Sequence, residues 1–155
     1  MPYRICKTFE IENGHMLSKH PDLCKFPHGH TRKVELVIEA DHLDKSEMVC
    51  DFKAFKETIW EYLKTLDHAI CVNTRDANFK QLRQSFGERV VAFEGLDPTT
   101  EILAKTIHDV FKKNLASYAS NASSKYPITT ALRVVKVRVW ETSSSWAEYS
   151  ESSFD

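Results

Sequence analysis

Two hydrophobic periods divide this chain, and together they fix what it can fold into. Over residues 4–12, Ile5, Phe9 and Ile11 alternate with Arg4, Thr8, Glu10 and Glu12. Residues 31–39 repeat the pattern, with Val34, Leu36 and Ile38 set against Lys33, Glu35 and Glu39. Residues 132–140 show it most strongly, with Val135, Val137 and Val139 set against Lys136 and Arg138. A period of two belongs to a strand that buries one face. In between, Phe52, Phe55, Ile59, Leu63 and Leu66 recur every third or fourth position, the stripe of an amphipathic helix over 52–66 that Asp51 can cap. Ile102, Leu103, Ile107, Val110 and Phe111 mark a second helix, opened either by Asp97 with Pro98 at its first position or by Thr99.

Residues 116–130, rich in Ser, Ala and Asn, read as a loop, and a last short strand is expected within Trp146 to Tyr149. The order β-β-α-α-β-β, with room for a short extra strand near Val90–Phe93, predicts an α+β fold. Two helices would cover one face of an antiparallel sheet. The other face would carry Lys33, Glu35, Lys136 and Arg138, and open sheet edges predict strand pairing between copies. With neither repeat nor linker, residues 1–155 read as one domain.

A formal net charge of −1 argues against a general nucleic-acid surface. The absence of a long apolar run or a signal-peptide pattern predicts a cytosolic protein with no membrane partner. Cys6, Cys24, Cys50 and Cys71 are too scattered for a disulfide framework and are expected as free thiols.

The densest chemistry lies in Cys24-Lys25-Phe26-Pro27-His28-Gly29-His30. His28 and His30, two apart at the head of a strand, share a face, and Gly29 removes bulk between them. His15, after the first strand, supplies a third imidazole if the two strands form a hairpin. His20 is a rival, but its loop gives it no element to orient it. Three neutral imidazoles favour zinc, and a fourth position left open belongs to a catalytic rather than a structural site. Cys24 either completes a closed site or acts as a base beside the metal. Asp67-His68, at the end of the first helix, reads either as an acid-steadied proton shuttle or as a cation at a helix C-terminus. Glu141 follows the strongest strand and can accept two N–H groups from a cyclic guanidine-like edge. Pro98-Thr99-Thr100-Glu101 reads first as a helix start. Lys19, Lys25 and Arg32 lie near enough to meet a phosphate group, but nothing in the pattern selects one of them.

In order along the chain, Ile11-Glu12-Asn13-Gly14-His15, Cys24 before His28-Gly29-His30, Cys50-Asp51-Phe52, Leu66-Asp67-His68, Pro98-Thr99-Thr100-Glu101, Val139-Trp140-Glu141-Thr142 and Ala147-Glu148-Tyr149 resemble the 6-pyruvoyl- and 6-carboxytetrahydropterin synthase superfamily. The resemblance implies the tunnelling fold, in which subunits join their sheets edge to edge and stack as a dimer of trimers. It implies Zn2+ on His15, His28 and His30, Cys24 as general base, and Asp67 with His68 as proton relay, reaching the site from a neighbouring subunit. It also implies Glu141 on the pterin ring, with Thr100 and Glu101 as further substrate-binding residues. The three-residue spacer between Cys24 and His28 resembles the members that convert 7,8-dihydroneopterin triphosphate to 6-carboxytetrahydropterin, acetaldehyde and triphosphate in queuosine biosynthesis. Members of the biopterin pathway, the 6-pyruvoyl synthases, have a longer spacer. A zinc-stabilised module without activity is the reading of a different class. The chain departs from the family at Ile11, where an aromatic is usual, and at Asn13-Gly14, where small residues are usual. The segment from Cys71 to Gly95 and the 116–130 loop are longer than a minimal member needs.

Overall fold

The computed structural model describes residues 2–151, so the two ends of the expected 1–155 domain lie outside the described residues. Strands β1 (Tyr3–Met16) and β2 (His28–Ala40) form a long antiparallel hairpin. Then follow α1 (Lys53–Leu66), β3 (Ala69–Asn73), α2 (Phe79–Phe86), β4 (Val90–Phe93), α3 (Thr100–Ala119), β5 (Arg133–Thr142) and β6 (Ser145–Tyr149). The sheet order is β4-β3-β1-β2-β5-β6.

The three long strands and two long helices stand where the two periods put them. Asp51, just ahead of α1, accepts at Oδ1 from the Lys53 amide, and Thr99 Oγ1 caps α3 by accepting from the Ile102 amide. Asp97 does not cap: its carboxylate accepts from the Lys19 amide and from Asn73 Nδ2. Four expectations need correction. The sheet is mixed rather than purely antiparallel, because β3 and β4 run parallel to β1. The short strand β3 is buried on both faces, so no alternation marks it. Helix α2 buries none of its residues and thus leaves no core stripe. Helix α3 continues through Ala119, taking the first four positions of the expected loop.

The core fills the space between the sheet and the two long helices. Ile11, Val34, Leu36, Ile38, Val137 and Val139 face Phe55, Ile59, Leu63, Leu103, Ile107 and Phe111, with the rings of Phe55 and Phe111 stacked at 5.9 Å. A register shift between Val37 and Ile38 sets Val134, not Val135, opposite Ile38, so the inward alternation of β5 changes phase at its start. On the other face, Lys33, Glu35, Lys136, Arg138 and Glu148 form a ladder of ion pairs, as the alternation predicts.

Candidate metal centre and active site

The alternation that builds the core also builds the site. In β1 the inward parity runs Ile11, Asn13, His15; in β2 it runs Val34, Arg32, His30, His28. The hairpin register pairs Ile11 with Arg32, Asn13 with His30 and His15 with His28. In β5 the same parity leads from Val139 to Glu141. The apolar face of the sheet therefore turns polar at one end, where the first turn of α3 covers it.

His15, His28 and His30 converge there, with one ligating atom from each within 4.8 Å of the others. His15 Nε2 and His30 Nε2 are 3.2 Å apart. Two nitrogens on one tetrahedral ion with bonds of ~2.0–2.1 Å lie about 3.3 Å apart, so the spacing fits zinc. The backbone fixes two of the ring tautomers. His15 Nδ1–H donates to the Pro98 carbonyl at 2.8 Å, and His28 Nδ1–H donates to the Phe26 carbonyl at 2.8 Å. Each leaves an Nε2 lone pair for a metal, the usual outer arrangement of a histidine ligand. Burial holds His15 in the neutral form, pushing its pKa down to about 4, and the Arg32 guanidinium acts in the same direction. Burial likewise lowers the pKa of His30. Neutral imidazoles are the ligating form.

Glu141 borders the cluster, with Oε1 3.6 Å from His15 Nε2 and 3.5 Å from His30 Nε2. Thr100 Oγ1 donates to the same oxygen at 3.1 Å. Glu101 is exposed on the first turn of α3.

Cys24 does not join the imidazole cluster. It is half-buried in a single 3-10 turn, Leu23–Lys25, and its carbonyl accepts from the Leu17 amide, which clips this loop to the end of β1. A closed site of three histidines and Cys24 is therefore not formed within the described residues. His20 is engaged elsewhere, its Nδ1 accepting from the Asp22 amide.

Asp67 ends α1, and its Oδ1 accepts from the Glu12 amide at 2.8 Å. That bond is the main cause holding its carboxyl below the usual carboxylate range. Oδ2 faces His68 Nδ1 at 3.0 Å. His68 has a positive φ of 57° and a largely exposed ring. It lines a groove of about 340 Å³ with Glu12, Asn13, Gly14, Gly29, His30 and Thr31. His68 does not join the imidazole cluster.

Two residues take a place in the site that the sequence argument did not give them. Arg32 is fully buried, which removes it as a surface cation for phosphate, and Asn13 lies beside it. Both have the inward parity of their strands, a signal that was present in the sequence. A second acid–histidine group, His108 with Asp109 and Glu151, is already neutralised by Lys105 and Lys112.

The family model described as 6-pyruvoyl tetrahydropterin synthase matches residues 4–152. The chain is 28% identical to the 6-carboxy-5,6,7,8-tetrahydropterin synthase of Aquifex aeolicus, with 97% of this chain and 99% of that protein covered. It is 27% identical to the Haemophilus influenzae protein of the same name, over 96% and 99%. In three dimensions it resembles an uncharacterised protein of Wolinella succinogenes, with a TM-score of 0.74, 20% identity and 98% and 99% coverage. It also resembles the 6-pyruvoyl tetrahydropterin synthase of Plasmodium vivax, with a TM-score of 0.68, 16% identity and 96% and 97% coverage. The mixed six-stranded sheet with its two long helices on one face has the tunnelling fold, and the chain belongs to the 6-pyruvoyl tetrahydropterin synthase family.

Proposed function

We propose that this chain is a zinc-dependent 6-carboxy-5,6,7,8-tetrahydropterin synthase, converting 7,8-dihydroneopterin triphosphate to 6-carboxytetrahydropterin, acetaldehyde and triphosphate. The observation that carries the reading is the convergence of three imidazoles beside a carboxylate that Thr100 holds in place. The full-length relatives from Aquifex and Haemophilus support it, as does the three-residue spacer between Cys24 and His28.

His15, His28 and His30 would hold the ion, and bound zinc supplies a Lewis acid for the oxygens of the substrate side chain. Glu141 accepts N–H groups of the pterin ring and so fixes the side chain over the cluster. Thr100 and Glu101, at the first turn of α3, stand beside the ring. Cys24, on the loop just before His28, takes the proton from the side-chain carbon. The Asp67–His68 pair, which does not join its own chain's imidazole cluster, exchanges protons with the side-chain oxygens of substrate held by a neighbouring copy. This places the active site between subunits and makes the working unit a homo-oligomer, a hexamer built as a dimer of trimers, in the cytoplasm. No helix among the described residues is long and apolar enough to cross a membrane.

The test is product analysis. Metal-loaded protein incubated with 7,8-dihydroneopterin triphosphate should release acetaldehyde together with a carboxylated tetrahydropterin. A 6-pyruvoyl product instead would overturn the assignment.

A further inference from the structure

Arg32 is a cation enclosed in the core with no exposed surface, and among the described residues no carboxylate is in ion-pair contact with it. Burying a guanidinium costs several kcal/mol unless its donors are satisfied, so what it bonds to is informative. Nε donates to Asn13 Oδ1 at 3.2 Å and Nη1 donates to Thr100 Oγ1 at 3.1 Å. Nη2 packs 3.3 Å from His15 Nδ1; since the Nδ1 proton is already aimed at Pro98, this is a contact between two donors and not a third bond.

The directions of these bonds are fixed by chemistry. A guanidinium only donates, so Thr100 Oγ1 must accept from Arg32, and its own proton is then free to point only onward. Onward is Glu141 Oε1, at 3.1 Å. On the other side, Asn13 Oδ1 must be the acceptor, which turns Nδ2 toward the Leu66 carbonyl at 2.9 Å, one of the unpaired carbonyls at the end of α1. Two runs of hydrogen bonds therefore diverge from Arg32, one through Asn13 to the Leu66 carbonyl in the last turn of α1 and one through Thr100 to a single oxygen of Glu141. Among the described residues the other oxygen, Oε2, has no hydrogen-bond partner.

We propose that Arg32 is a positioning residue for pterin recognition. Acting through Thr100, it holds Oε1 of Glu141 in place so that the carboxylate presents Oε2 to the N–H edge of the substrate ring. The inference rests on the reading of Glu141 as the ring anchor given above. It uses two positions at which this chain carries polar groups on an otherwise apolar parity, Asn13 and Arg32, linked to each other by a hydrogen bond.

The experiment compares Arg32→Met, Thr100→Val and Glu141→Gln with the wild type. The readouts are metal content, melting temperature, KM and kcat with 7,8-dihydroneopterin triphosphate, and affinity for pterin itself, which has the ring edge but no side chain to reach the metal. Arg32→Met should keep the metal and the fold, with a modest drop in melting temperature because the buried Asn13 Oδ1 loses its donor. Pterin affinity should nevertheless fall about tenfold or more, the loss expected for a misaligned charged hydrogen bond. KM should rise to match, with kcat changed much less. Thr100→Val should behave alike, and the double variant should be no worse than either single one, since both cut the same run. Wild-type pterin affinity in Arg32→Met, or loss of metal from it, overturns the proposal. If Arg32→Met does not fold, Thr100→Val decides alone on the same criteria. Glu141→Gln separates the two levels: if it leaves pterin affinity unchanged, the ring-anchor reading itself has failed and this proposal with it. If it weakens pterin binding while Arg32→Met and Thr100→Val do not, only the role of Arg32 is lost.

Discussion

The imidazoles of His15 and His28 owe their usable nitrogens to two backbone carbonyls, those of Pro98 and Phe26. Each carbonyl is placed by a loop, Phe26 just ahead of β2 and Pro98 just ahead of α3. Removing a ring and removing the base nearby should therefore have different consequences. His28→Ala should lose bound metal and all turnover while the sheet, whose core lies further along the strands, stays folded. Cys24→Ala should keep metal and fold and lose only turnover, since its thiol stands outside the cluster. Metal content by atomic absorption and circular dichroism, measured on both variants, check the pair. Metal lost from Cys24→Ala would make Cys24 a ligand and sink the base assignment.

At the scale of elements, the junction between α1 and β3 is held by one carboxylate. Asp67 terminates α1, accepts from Glu12 on β1, and orients His68 in a left-handed turn. Its carboxyl lies below the usual carboxylate range because of the Glu12 N–H. In a carboxylate with a depressed pKa the unfolded chain takes up protons first, so the stabilisation is complete above the unfolded pKa of ~3.9 and is lost as pH falls through the lower folded value. The urea midpoint should drop between pH 6 and pH 3 by more in the wild type than in Asp67→Asn, which cannot titrate. Equal drops would remove Asp67 from the acid response. The start of α3 makes a different junction: the Thr99 cap sets where the helix begins, and so sets Thr100 against Arg32 and Glu141.

At the scale of the whole molecule, fold and metal centre are separable. The core between the sheet and helices α1 and α3 is apolar and continuous, and the imidazoles sit past its end. Exhaustive chelation should lower the melting temperature by the lost binding free energy yet leave a cooperative transition and native circular dichroism. Unfolding on chelation would instead mark a metal-dependent module.

The alternation of apolar residues determined by itself which face of β1, β2 and β5 turns inward, and therefore that His15, His28, His30 and Glu141 share a face. It determined α1 and α3 as well, because their stripes are wide enough to show a period. It could not reveal β3, buried on both faces, or α2, which buries nothing. The residue type at positions 13 and 32 was plain, yet a side chain's partners come from elements far away in sequence. Arg32 meets Thr100 across 68 positions, and no local pattern encodes such a pairing. Only the tertiary structure decided that this arginine is enclosed rather than exposed, and that Cys24 and His68 stand outside the imidazole cluster. Each depends on how loops and helix ends close over the end of the sheet, which is settled by packing rather than by spacing along the chain.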